Sequence, residues 1–141
     1  MSKNIVKNQS VLSLQDLASD DVIRYSIRLS SELWLQCQKK ALDDGYGARG
    51  INKWIIDSID KLIVLEPTHR NQIIHDVAIK EVSYGKSGNY GIRLSNALKE
   101  RVWHVMMESA LSGKDLDPPI FLEPSYAMVI KAAMINGLME D

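Results

Sequence analysis

One short pattern occurs twice in this chain, and it restricts the fold more than any other feature. Tyr25-Ser26-Ile27-Arg28-Leu29-Ser30 is followed by Leu33, and Tyr90-Gly91-Ile92-Arg93-Leu94-Ser95 by Leu98, so six residues are identical at a fixed spacing of 65. A repeat at constant spacing means that one supersecondary unit has been used twice. Within each copy, Tyr, Ile and Leu alternate with Ser or Gly, Arg and Ser. That period of two belongs to a half-buried strand. Each strand stops at a serine, whose side-chain oxygen can cap a helix beginning immediately afterwards.

Helical spacing follows both strands. In the first unit (21–65), Leu33, Cys37 and Ala41 mark one helix, which stops at Asp44-Gly45. The glycine-rich turn 45–50 leads to a second helix, in which Ile51, Trp54, Ile55, Ser58, Ile59 and Leu62 recur three and four apart. In the second unit (89–141), Leu98, Val102, Val105, Met106 and Ala110 repeat the first helix at the same spacing. The spacing then grows to 75, pairing Ile51, Trp54 and Ile55 with Tyr126, Val129 and Ile130. An insertion of about ten residues in the inter-helix loop (112–124), stiffened by Pro118, Pro119 and Pro124, accounts for the change, because surface loops tolerate added length cheaply. A polar arm (1–20) precedes the first unit and is read as mobile. A connector (66–88) joins the units; Ile73, Ile74, Val77 and Ile79 suggest a short helix or an extended piece there, and Gly85-Lys86-Ser87-Gly88 a flexible lead-in to the second strand.

A single strand with one apolar face cannot stand alone, and neither can a pair of short amphipathic helices. Two units solve both problems if their strands pair antiparallel and four helices close over the apolar face. The expected fold is therefore mainly α with a two-stranded antiparallel ribbon, the repeats forming one intramolecular pseudo-dimer. Tyr25, Ile27 and Leu29 would then turn inward with Tyr90, Ile92 and Leu94. The outer face would display Arg24, Ser26 and Arg28 from one strand and Asn89, Gly91 and Arg93 from the other.

This pattern resembles the ribbon-helix-helix superfamily of DNA-binding proteins, and its single-chain form resembles the tandem accessory proteins of conjugative DNA transfer. The resemblance covers 22–64, 88–113 and 124–139. It implies that the ribbon enters the major groove of double-stranded DNA and reads base edges with its outward residues. Arg28 and Arg93 can each donate two hydrogen bonds to guanine, Asn89 can pair with adenine, Ser26 can contact several bases, and Gly91 lets the ribbon approach closely. The family also grips phosphate with the N-terminus of the second helix. That role maps onto Ala48, Arg49 and Gly50, with Lys53 one turn in, and in the second unit onto Pro124 and Ser125. Glu123 departs from the pattern, since a carboxylate there competes with phosphate.

The remaining features bound the function. The net charge of −1 argues against coating of nucleic acid by bulk electrostatics but leaves room for a local basic surface. Charge is sorted along the chain, with Lys86, Arg93, Lys99 and Arg101 in its positive part and Asp115, Asp117, Glu123, Glu140 and Asp141 in its acidic tail. The single cysteine, Cys37, fits a reducing compartment. No signal-peptide pattern or membrane-length apolar run is present, and the expected location is cytoplasmic. His69, His75 and His104 share no metal spacing with Cys37, and no serine has a base partner in motif context, so no catalytic residues, metal or cofactor are expected. The expected task is operon regulation or the marking of a transfer origin, with a second copy on an adjacent site or a DNA-processing protein as further partners. A protein-interaction module of the same fold, of the antitoxin kind, is the alternative.

Overall fold

The computed structural model of the protein describes residues 22–80 and 86–140, and the arm expected at 1–20 lies outside the described residues. The order is β1 (Val22–Ser30), α1 (Ser31–Asp43), α2 (Ile51–Ile63), α3 (Pro67–Lys80), β2 (Ser87–Ser95), α4 (Asn96–Gly113) and α5 (Tyr126–Leu138). The architecture is mainly helical, with five helices among the described residues and one two-stranded antiparallel sheet. None of the described helices is long and apolar enough to cross a membrane.

Both strands become helix without a connecting loop, and the serine at each junction is the reason. Ser30 Oγ accepts a hydrogen bond from the Leu33 N–H at 3.0 Å, and Ser95 Oγ accepts one from the Leu98 N–H at 3.1 Å. Each satisfies an N–H that has no partner within its helix. The strands pair over nine residues, centred on Ser26 opposite Gly91. Ile27, Leu29, Ile92 and Leu94 are buried, while Arg24, Ser26, Arg28, Asn89, Gly91 and Arg93 are exposed. Alternation in the sequence thus became two faces of a ribbon. The pairing itself sets Tyr25 opposite Ile92 and Ile27 opposite Tyr90, with Leu29 against Gly88 and Ile23 against Leu94.

β2 starts at Ser87, two residues before the expected position, so Ser87 and Gly88 are strand rather than flexible lead-in. They pair with Ser30 and Leu29, because the full length of β1 offers its backbone groups to them. The Lys86 carbonyl also accepts from the Ser31 N–H at 2.9 Å, closing this end of the ribbon.

The helices bury what their spacing predicts. α1 turns Cys37 and Ala41 inward, and α2 turns in Trp54, Ile55, Ser58, Ile59 and Leu62. Burial pushes the Cys37 thiol up to about 12, so it stays protonated at neutral pH. α5 lies against α2 at the centre and also packs on α3 and α4. Its Ala132, Ala133 and Gly137 permit that approach; a Cβ at Gly137 would lie 2.7 Å from Ser58 Oγ. Of the methionines, Met106 and Met134 fill the core, whereas Met139 is exposed.

In the connector, the helix is the one of the two expected forms that occurs, with Ile74 buried and Ile73 and Val77 packed on the core. α3 runs for 14 residues, and its buried side chains include Arg70, Asn71 and His75 beside Ile74, while Ile79 is exposed. Partners on α4 account for the buried polar side chains. Asn71 Oδ1 accepts from Ser109 Oγ at 2.8 Å and from Arg70 Nε at 3.2 Å. His75 Nε2 lies 2.8 Å from the Ser109 carbonyl oxygen, which can only accept, so this nitrogen carries the proton. Arg70 Nη2 approaches Glu108 Oε2 to 2.8 Å as an ion pair without being aligned as a hydrogen bond. A buried polar network of this kind fixes how two helices sit together. The loop expected at 112–124 falls between Gly113 and Tyr126. It closes where the Ile120 N–H donates to the Gly113 carbonyl at 2.8 Å, an approach that a Cβ at Gly113 would obstruct.

Candidate nucleic-acid interface

The outer face of the ribbon gathers the six residues expected to read bases. Arg24 stands opposite Arg93, Ser26 opposite Gly91, and Arg28 opposite Asn89. Neither strand carries an Asp or Glu. Among the described residues Arg24, Arg28 and Arg93 form no ion pair, whereas Lys39, Lys40, Lys53, Lys61, Arg70 and Arg101 each have a carboxylate partner. Two arginines directly across a ribbon repel each other. Gly91 relieves the crowding: a Cβ there would lie 3.1 Å from Arg24 Nε and 3.2 Å from Nη2, so the Arg24 guanidinium extends over the bare backbone of the neighbouring strand.

The start of α2 lies beside β2. The turn before it needs glycine at Gly45 (φ 90°) and Gly47 (φ 84°), where L side chains are strained. Gly50 is the N-cap and has no room for a Cβ, which would collide with the Tyr46 carbonyl oxygen. No side chain caps this helix and its first turn holds no acid, so the positive end of its dipole is uncovered. Ala48 and Arg49 are exposed here. Lys53 does not project freely. Its Nζ lies 2.9 Å from Asp57 Oδ1, while the Tyr46 hydroxyl donates to Asp57 Oδ2 at 2.6 Å and ties the turn to the helix. Burial pulls the Asp57 carboxyl up, but Tyr46 and Lys53 more than offset it and hold it below the usual range. The same hydrogen bond pushes the Tyr46 hydroxyl up to about 12.

Asn52, which the sequence alone did not single out, joins this helix to the ribbon. Its Oδ1 accepts from the Arg93 N–H at 2.8 Å, and its Nδ2 donates to the Arg93 carbonyl at 3.2 Å. The only signal in the sequence was a difference between the copies, since Ala127 stands at the paired position.

The start of α5 lies beside β1 and is built otherwise. Ser125 Oγ accepts from the Met128 N–H at 3.2 Å, so Ser125 caps its own helix, with Glu123 and Pro124 exposed before it. The Tyr126 ring meets Tyr25 edge-on at 5.6 Å, and Lys99 Nζ sits 5.5 Å from the Tyr126 ring centre. An open groove of about 360 Å³ runs between Lys99, Trp103 and Tyr126. On the opposite side Trp34 stacks flat on Tyr90 at 4.3 Å. Of the three tryptophans, Trp54 is buried, Trp34 partly so, and Trp103 is the exposed one, at 42%.

A further cavity of about 290 Å³ is lined in part by Lys40, Asp44, Lys61 and Glu140. Its charges pair among themselves, Lys40 with Asp44 at 3.3 Å and Lys61 with Glu140 at 3.1 Å. No protein-family model, curated protein or solved structure matches the chain.

Proposed function

We propose that the chain is a non-catalytic protein that reads double-stranded DNA, built as two ribbon-helix-helix units forming a pseudo-dimer within one molecule. The observation that carries this reading is the outer face of the ribbon, where three arginines stand without a carboxylate or an ion-pair partner among the described residues. Such a surface suits a polyanion. Its alternation with Ser26, Gly91 and Asn89 leaves short side chains between the guanidiniums, as readout of groove edges requires. The uncapped start of α2, with Arg49 before it, fits one flanking phosphate backbone. The start of α5, with Ser125 turned inward and Glu123 nearby, fits the other less well. Gene regulation and the marking of a transfer origin in the cytoplasm are both tasks for such a protein. Because its strands differ, it can read a site that is not a palindrome.

A protein-interaction module of the same fold is the second reading. Leu35 and Leu42 on α1, and Trp103 and Leu111 on α4, favour it as exposed apolar side chains. Selection from a pool of random duplexes at two salt concentrations separates the readings. DNA reading predicts one enriched sequence class and an affinity that falls with a log–log salt slope of about −0.9 per phosphate neutralised. No enrichment and no salt dependence would leave the interaction module in its place.

A further inference from the structure

We infer that Asn52 is a positioning residue that fixes one half of the ribbon, so that the DNA half-site under Arg24 and Arg93 is read more stringently than the one under Arg28 and Asn89. The inference rests on the DNA reading proposed above. The Asn52 carboxamide meets the Arg93 backbone at both of its polar groups, accepting at 2.8 Å and donating at 3.2 Å. A carboxamide presents a donor and an acceptor side by side, as a neighbouring strand would. Asn52 therefore acts as a one-residue third strand on the free edge of β2, an edge that otherwise offers unpaired backbone groups.

Two consequences follow from where this contact falls. Arg93 is one of the outward arginines, so the clamp fixes the backbone from which a reading side chain projects. Asn52 is also the second residue of α2, so the clamp joins the uncapped helix start to the ribbon and the two move as one body. Base and phosphate contacts at this end then come into register together, and little geometric freedom remains to accommodate a wrong base.

Among the described residues, the other end lacks the device. Arg28 corresponds to Arg93 in the repeat, and Ala127 corresponds to Asn52. A methyl group cannot bond a peptide. The start of α5 instead meets β1 through the edge-on rings of Tyr126 and Tyr25, a contact that tolerates sliding. Among the described residues, one ribbon thus carries a clamped end and an unclamped end.

The test uses the full chain with the substitutions N52A and N52D. Without DNA, amide hydrogen exchange at Arg93 should be about fivefold faster in N52A, as expected for one lost hydrogen bond. Exchange at Arg28 and at the core residue Ile92 should not change. N52D keeps the acceptor and should restore most of the protection. On a panel of single-base duplex variants, N52A should lose discrimination at the positions that R93A and R24A affect and keep it where R28A acts. Unchanged exchange at Arg93 would overturn the clamp, and equal acceleration at every amide would make Asn52 a general stability residue. A uniform drop in affinity for all duplexes, as R49A is expected to give, would make it a phosphate contact. A wild-type chain that selects no duplex would end the DNA reading, and the exchange data would then decide on the clamp alone.

Discussion

The two ends of the ribbon begin from nearly the same words and finish with different chemistry. At the Arg93 end, α2 is uncapped, carries no acid in its first turn and is bonded through Asn52 to the strand. At the Arg28 end, α5 is capped by Ser125, follows Glu123 and meets the strand through aromatic rings, with Lys99 over one of them. The parts that coincide are those that make a strand stop and a helix begin. Apart from the arginine that both strands share, the outward strand residues differ, and so do the helix starts that meet the strands. A sequence pattern that occurs twice can share the residues that start and stop its elements and differ at the others.

The largest expected effect breaks both ends at once. Ile92 is fully buried among residues from both halves, and Ile92→Ala should cost about 2–5 kcal/mol. Urea denaturation would measure it, and a loss below 1 kcal/mol would mean that the ribbon is not bound into a shared core. Next come the outward arginines, under the proposed DNA reading. Arg28→Ala and Arg93→Ala should each remove about 1–3 kcal/mol of discrimination, at different base pairs, with little change in melting temperature because both are exposed. Identical preferences in the two variants and the wild type would show that this face does not read DNA.

A smaller effect sharpens the contrast between the helix starts. Ser125→Ala removes the cap of α5 and should cost about 1 kcal/mol of stability while freeing N–H groups for phosphate. Affinity for DNA should hold or rise, despite the lower melting temperature. Ser125 is a phosphate ligand if affinity falls instead. The smallest effect is acidification. The Trp54 indole N–H, then Lys40, hold Asp44 below its usual range, and the Thr68 and His69 N–H groups hold Glu66 below its own. A carboxylate depressed in the folded state contributes stability above its unfolded pKa and loses it as pH falls through the folded value. The melting temperature should therefore be level near neutrality and decline below about pH 4. Asp44→Asn should shrink that decline.

Strands, caps and outward residues were legible because each is specified locally. Ser30 and Ser95 cap the helices that begin next to them, and a period of two needs no distant partner to define its faces. α3 was legible only in part. The apolar spacing said nothing of Arg70, Asn71 and His75, whose burial rests on Glu108, Ser109 and Ser112, far along the chain. The start of β2 was misplaced for a related reason, since Ser87 and Gly88 have no strand character of their own and take it from the length of β1. Lys53 was legible as a cation near the start of α2 but not as the partner of Asp57. Asn52 showed only as a difference from Ala127, because its role lies in the geometry of a helix against a strand residue 41 positions away.

Because β1 pairs with β2 of the same molecule, the ribbon closes without a second molecule. Dilution cannot undo that pairing, as it undoes a ribbon shared between two chains. Melting should accordingly be independent of protein concentration. A handful of molecules in a large volume would be as well folded as a thousand.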